Sequence, residues 1–423
     1  MGLQKFDWCT SGLVFSVLAF VTGVWCLRLV PSGVTGVFYA SGVWVVDFVS
    51  FVLVLLSLCL WVSLVFFIKL DSISSVFLFL SVFFSVSCYC SDHSLLFWVY
   101  YELSILFLLV LLILESPYPE RYLASWYLLG YVVFTSLPML LCFMYLSFVA
   151  GGCGLSLWGW SDFGGPSLVV LVCLCVLFMT KVPYFPFQAW LPVVHAESPT
   201  SVSVCLSGYI MKLGVLGMFR FCSFVLPGFI FSDAYTVLVL VVCVALFLVA
   251  SREIDGKRWL AFLSLSHISV VGLCFYCLGG GLFSIPFYFC LGHGFSAGLV
   301  FVLLGCCYDV TGSRNWVVVK SAFGGSLCIR VLGVMSIFTA ASIPPMATFF
   351  CEVVLLQQCF SVFSVLGGLL CLYLFCGGLV PLVVLGYLLS RQSCLSFHCC
   401  KMWSWLSSVV FLLVWTYLIF FLL

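Results

Sequence analysis

Charge is what this 423-residue sequence has least of: Asp, Glu, Lys and Arg together supply 7% of it. Soluble domains carry about 25%, so this chain does not have the polar residues to cover a water-facing surface. The net charge of +1 gives no basic field for nucleic acid. No Walker loop, dinucleotide fingerprint, haem motif or iron–sulfur cysteine run is present. A nucleotide, flavin or cluster held by this chain is therefore not expected. Long alternating apolar–polar stretches are missing as well, which excludes a transmembrane barrel. The polar gaps, none longer than about 20 residues, leave no room for a soluble domain, so the whole of 1–423 is expected to form one membrane domain.

What is there is hydrocarbon. Hydrophobic residues make up 65%, and mean hydropathy is +1.33. Only helices and closed barrels satisfy their backbone in lipid, and a helical span takes about 20 apolar residues. The sequence therefore predicts an all-α polytopic membrane protein of about thirteen spans, near 11–30, 45–68, 72–90, 94–114, 122–149, 167–190, 202–223, 233–250, 258–280, 283–306, 325–360, 364–389 and 402–422. The first run has no small-residue cleavage site and reads as a span rather than a signal peptide. Short loops with one charge or none leave the positive-inside rule without a vote on orientation.

The 25 cysteines lie almost entirely inside apolar runs, where cysteine behaves as a small hydrophobe. Cys274 and Cys277 form a C-x-x-C pair inside a span, and Cys394, His398, Cys399 and Cys400 share a loop. The mid-span place of the first argues against a redox or metal role, and the second lacks the matching ligand cluster that a structural zinc site needs, so no metal is expected. The abundance of Phe, Leu, Val, Cys, Trp and Gly, residues with T- and G-rich codons, hints at a skewed organellar genome.

Two spans carry their own interruptions. Thr180-Lys181-Val182-Pro183-Tyr184-Phe185-Pro186 places two prolines in a helix ladder that cannot accommodate them. Ile343-Pro344-Pro345, followed by Glu352, does the same further on. Paired Pro-interrupted spans are a mark of inverted-repeat transporters. Glu102 to His267 on straight spans, and Lys181 to Glu352 on broken ones, are nearly equal separations, as a repeat would give.

Glu102, Lys181, Lys212, His267, His293 and Glu352 all fall within apolar segments. A Lys or Asp at a helix centre costs about 2.5–3.5 kcal/mol, so the two lysines and two glutamates together cost on the order of 10 kcal/mol. That is comparable to the net stability of a domain. Such groups are kept where a partner or water offsets the cost, and they mark an ion path. Against this stand plainer roles: a snorkelling Lys181, a structural hydrogen bond for Glu102, satisfied core histidines at 267 and 293. Lys257, beside Arg252, Asp255 and Arg258, is either a loop charge or part of the path. His195 and Glu197 serve as a cap or hinge, or else in conduction. Glu115, Glu120 and Arg121 read as solvated or paired loop charges. Gly214 and Gly217 beside Lys212 allow close helix packing. The available chemistry is proton transfer along acids, bases and water.

At this point the residues resemble a known family. Lys181-Val-Pro followed by Trp190-Leu-Pro-Val-Val-His195-Ala-Glu197 resembles the signature of the antiporter-like subunits of respiratory complex I, and His195 and Glu197 resemble its subunit 4 in particular. Pro119-Glu120-Arg121, Ser136-Leu137-Pro138, Met211-Lys212-Leu213-Gly214 with Gly217 and Arg220, and Lys257 through Ser266-His267 are similar to the same family. So are Gly292-His293-Gly294, Tyr308, Ser313-Arg314 and Pro344-Pro345 before Glu352. The likeness runs from about residue 45 to 390.

The resemblance implies an inverted-repeat, antiporter-like fold broken at Pro183, Pro186, Pro344 and Pro345. It implies that Glu102 pairs with Lys181, that Lys212 is the central lysine, that His267 and His293 line a hydrated axis, and that Glu352 is the terminal acid. It implies a proton-translocating membrane-arm subunit of NADH:ubiquinone oxidoreductase, with quinone reduction, flavin and iron–sulfur clusters on other subunits. Neighbouring antiporter-like subunits and lipids would be its partners. The implied location is the mitochondrial inner membrane, or else a bacterial plasma membrane. A stand-alone or hydrogenase-linked cation/proton antiporter, or a scaffold that no longer pumps, are the alternatives. One departure stands out: three spans precede the glutamate-bearing one where the family has four.

Overall fold

The computed structural model describes residues 37–422, apart from 68–69, 156–157, 159–165, 224, 227–229, 279–283, 325–326 and 391–402. The expected span at 11–30 and the Cys394–Cys400 cluster therefore lie outside the described residues. From 45–68 onward, every expected span has a helical counterpart. Nine helices among the described residues are long and apolar enough to cross a membrane, and four more are apolar but shorter.

The chain opens on an unexpected β-hairpin, β1 (Val37–Ser41) and β2 (Trp44–Asp47), antiparallel with Tyr39 opposite Val46. Aromatic and β-branched residues around Gly42 favour strands over a helix start. Asp47 then caps α1 (Phe48–Phe67): Ser50 N–H donates to its carboxylate, and Asp47 N–H donates to Ser50 Oγ, both at 2.8 Å. Next come α2 (Ser72–Cys90) and α3 (Ser94–Glu115), then α4 (Arg121–Leu128), which passes through a π turn at Leu129–Val133 into α5 (Ser136–Val149).

The first broken helix is α6 (Pro166–Lys181) and α7 (Trp190–Glu197), separated by the Pro183–Pro186 segment. The expected span 167–190 thus stops being helical at Lys181, where the prolines remove donors. The span near 202–223 is α8 (Thr200–Cys205), a π turn at Leu206–Ile210 and α9 (Met211–Cys222). Then follow α10 (Asp233–Ala250), α11 (Gly256–Cys277) and α12 (Ser284–Thr311). The short α13 (Trp316–Gly324) was not expected. The second broken helix is α14 (Leu327–Ala340) and α15 (Ala347–Val362), parted around Pro344 and Pro345, and α16 (Ser364–Leu389) and α17 (Trp403–Leu418) complete the bundle.

The two broken helices run in opposite directions. α7 ends at Glu197 beside Arg314, at 3.7 Å, and the loop of Arg314 leads through α13 into α14. The second broken helix therefore starts at the end of the molecule where the first one finishes, which is the inverted arrangement.

The central element is α12, whose span is wholly buried. Its glycines set the packing distance. A Cβ on Gly292 would meet Thr348 at 2.9 Å, one on Gly294 would meet Leu56 at 2.6 Å, and one on Gly298 would meet Leu60 at 2.8 Å. Small residues let helix backbones approach where lipid supplies no hydrophobic drive for association.

Candidate functional site

The first cluster forms where α6 stops. Lys181, the last residue of α6, is fully buried, and its Nζ donates to Glu102 Oε1 on α3 at 3.1 Å. It also donates to the Val132 carbonyl at 2.9 Å and lies 4.6 Å from the centre of the Tyr101 ring. Val132 belongs to the π turn, which re-aims backbone carbonyls away from their usual partners. A cation at a helix C-terminus also meets the negative end of the macrodipole. Trp190 Nε1–H donates to the Thr180 carbonyl at 3.1 Å, tying the second half-helix back across the break.

Lys212 comes next. It is fully buried and donates to the Ser207 carbonyl, 2.5 Å away, on the π turn that precedes α9. Gly214 and Gly217 place its helix directly against α6: a Cβ on Gly214 would stand 2.6 Å from Val182 Cγ2 and 3.7 Å from Lys181 Cβ, and one on Gly217 would stand 2.2 Å from the Phe178 ring. The close packing expected of these glycines is thus specifically a contact with the lysine-bearing half-helix.

The second cluster gathers around His267 on α11. Its Nδ1 is 2.7 Å from the Tyr373 hydroxyl and 4.0 Å from Glu352 Oε1, and its ring centre is 5.5 Å from that of His293. Glu352 is buried in the second turn of α15. Ser342 Oγ, in the break, donates to it at 3.4 Å. His293, on α12, is thus the titratable group whose ring lies beside that of His267.

A third group lies at the end of the molecule where α7 finishes. Arg314 forms ion pairs with Glu197 at 3.7 Å and Asp255 at 3.3 Å, donates a hydrogen bond to the Ala196 carbonyl, and packs over Tyr118, 4.1 Å from the ring centre. Lys257 is buried rather than a free loop charge: its Nζ donates to the Ser198 carbonyl at 2.8 Å, and Asp255 caps its helix. His195 is fully buried against Phe301, with ring centres 4.8 Å apart, and neither ring nitrogen has a protein hydrogen-bond partner among the described residues. Lys257 and Lys212 both act on it electrostatically. Glu115 accepts from Ser201 at 2.9 Å and so is paired.

The structure thus brings Glu102 together with Lys181, and His267 with His293 and Glu352, while Lys257 stands with the Arg314 group. Sequence reasoning missed Tyr373 and Ser342, and it met Arg314 only inside a motif. A tyrosine in an apolar span carries no local signal; only the packing of α16 against α10 and α15 brings its hydroxyl to His267. No group of three or more metal-ligating side chains occurs among the described residues.

Residues 91–378 match the family model described as NADH:quinone oxidoreductase/Mrp antiporter, transmembrane. The chain is 30% identical over 326 residues to NADH-ubiquinone oxidoreductase chain 4 of Locusta migratoria, covering 73% of this chain and 70% of that one. It is 26% identical over 408 residues to chain 4 of Lumbricus terrestris, covering 88% and 86%. In fold it is similar to a chain of respiratory complex I from Thermus thermophilus, with a TM-score of 0.77, 18% identity, and coverage of 96% and 90%. It is also similar to a chain of the Mrp complex from Dietzia, with a TM-score of 0.74, 16% identity, and coverage of 90% and 74%.

Proposed function

The chain belongs to the NADH:quinone oxidoreductase/Mrp antiporter transmembrane family, and on that premise we propose that it is the chain 4 subunit of a respiratory complex I, carrying protons across the membrane while other subunits oxidise NADH and reduce quinone. The observation that carries the mechanism is the buried ion pair Lys181–Glu102 at a helix break. At 3.1 Å and an effective dielectric of about 20, the attraction is about 5 kcal/mol. Desolvating two ions costs several kcal/mol each, so the pair contributes little net stability. Its value is as a switch. With Glu102 in contact, the ammonium holds its proton; with Glu102 withdrawn, a cation in an apolar site becomes a donor.

The packing of Gly214 on Lys181 makes Lys212 the neighbouring acceptor, with water bridging the two. His293 and His267 continue the path, and Glu352 is the terminal carrier. Lys257, His195 and the Arg314 group form the aqueous approach to Lys212. Among the buried polar atoms without protein partners in the described residues, several belong to this route: Tyr101 Oη beside Lys181, both ring nitrogens of His195, His293 Nε2 and Thr348 Oγ1 beside Gly292. Buried polar groups are normally satisfied, by protein or by water, so the route is one that water would occupy. The chain needs no redox group of its own for this work; flavin and iron–sulfur clusters belong to its partners. Those partners are the other membrane subunits, neighbouring antiporter-like ones included, with lipid around the apolar exterior. The organellar composition and the chain 4 relatives support the mitochondrial inner membrane.

The test is the set of chains that co-purify in mild detergent, measured together with pumping by Glu352→Gln. Complex I partners, and an assembled mutant complex with reduced pumping, are the expected result. An isolated chain, or full pumping in a normally assembled mutant, would overturn the reading.

A further inference from the structure

α11 and α15 touch at two levels. The first is the His267–Glu352 contact described above. The second lies further along both helices, where Cys277 Sγ and Cys359 Sγ are 3.5 Å apart. Cys277 is the last residue of α11, and Cys359 is in the last turn of α15. The two helices therefore run parallel from the first contact to the second, towards one edge of the bundle. Seven residues, about two helical turns, separate Cys359 from Glu352, which puts both on one face of α15. Cys359 is fully buried and Cys277 half-buried. Beside them, the Tyr276 hydroxyl donates to Asp233 at the start of α10, so this is the polar edge of the bundle rather than its core.

We propose that Cys277 and Cys359 are an oxidisable thiol pair, and that a disulfide between them clamps the Glu352-bearing half-helix to the helix of His267. The oxidant is a hydroperoxide of the kind that membrane lipids yield. The Cys277 sulfur, the more accessible, attacks the terminal peroxide oxygen: the O–O bond breaks, an alcohol leaves, and Cys277 becomes a sulfenic acid. The Cys359 sulfur then attacks it, forming the S–S bond and releasing water. Two thiols and one hydroperoxide give one disulfide, one alcohol and one water; the thiols lose two electrons and the peroxide gains them. A reduced dithiol reverses the link by exchange. The clamp acts on pumping because α15 begins at the Pro344–Pro345 break. If the acid shuttles by tilting this half-helix, fixing the far end of the half-helix to α11 holds Glu352 at one distance from His267.

The link itself is independent of the proposed function; only its effect on pumping rests on that reading. The experiment treats intact complex in membranes with tert-butyl hydroperoxide, maps disulfides by mass spectrometry, and measures proton pumping before and after dithiothreitol. The expected result is a peptide joining Cys277 to Cys359, a several-fold loss of pumping, and recovery on reduction. Cys277→Ser and Cys359→Ala, each active before treatment, should lack both the link and the loss; two variants guard against one failing to assemble. Oxidation of other cysteines with no 277–359 link would overturn the site. A link formed with pumping unchanged would overturn the clamp. Glu352→Gln is measured in parallel: full pumping there removes the proton-carrier reading, and the mass-mapped link still stands or falls by itself.

Discussion

The two broken helices solve one problem with opposite charges. In the first, the charge stands before the break: Lys181 closes α6, at the negative end of its dipole, and has a full counter-ion in Glu102. In the second, the charge stands after the break: Glu352 lies in the second turn of α15, and its neighbours are a serine hydroxyl and a histidine rather than a lysine. Only the first half places its charge in the field of a helix end. Under the proposed function, the first half holds a proton against a partner, and the second passes one between an acid and histidines. An inverted repeat thus conserves the break without conserving the sign.

This comparison can be broken at several points. The largest effect is expected from the ion pair. Removing one partner of a buried pair costs about 3–5 kcal/mol, because the other charge is left uncompensated. Glu102→Gln and Lys181→Met should each abolish most coupled pumping, and the double variant should be no worse than either alone. Proton flux in reconstituted vesicles decides it: a double loss equal to the product of the single losses means that the sites act independently.

Next comes the acid of the second half. Glu352→Gln keeps the shape and removes the exchangeable proton, so pumping should fall well below half while the complex assembles normally on a native gel. An assembly defect in this variant would make Glu352 a structural group and erase the contrast between the halves.

Tyr373→Phe should be milder. The ring packing on Phe247, with centres 5.2 Å apart, survives, and only the hydroxyl on His267 is lost. One neutral hydrogen bond is worth about 1 kcal/mol, which is roughly a five-fold change in rate or in the population of the competent rotamer. Pumping rates measured across pH would show this as a changed profile with normal assembly; an unchanged profile means the hydroxyl is idle.

The smallest effects come from glycines. Gly217→Ala drives a methyl to 2.2 Å from the Phe178 ring, and overpacking of this kind costs about 1–3 kcal/mol. Thermal unfolding in detergent should show the loss. Gly130→Ala, with nothing within 4 Å of its Cβ, should be neutral or slightly stabilising. Equal effects at the two positions would deny that α9 is seated on α6 by its glycines.

Much of this was legible beforehand. The helix breaks followed from Pro183, Pro186, Pro344 and Pro345, since proline cannot donate to the ladder wherever it stands. The buried charges were conspicuous because each is costly in an apolar run. The hairpin at 37–47 was not foreseen: its apolar residues resemble a helix start, and only pairing across Gly42 makes them strands. The π turns before α5 and α9 were equally hidden, although they present the carbonyls of Val132 and Ser207 to Lys181 and Lys212.

What the sequence determined by itself was therefore local: a chain too apolar for water, spans of fixed length, breaks at prolines, and ionisable groups that lipid would not tolerate. These follow from transfer free energy and backbone chemistry, which act residue by residue. What only the tertiary structure decided was partnership. Lys181 finds Glu102, His267 finds Tyr373, and Cys277 finds Cys359, because small residues let particular helices approach, and a side chain's partner is set by the helix packed against it, not by its neighbours in the chain.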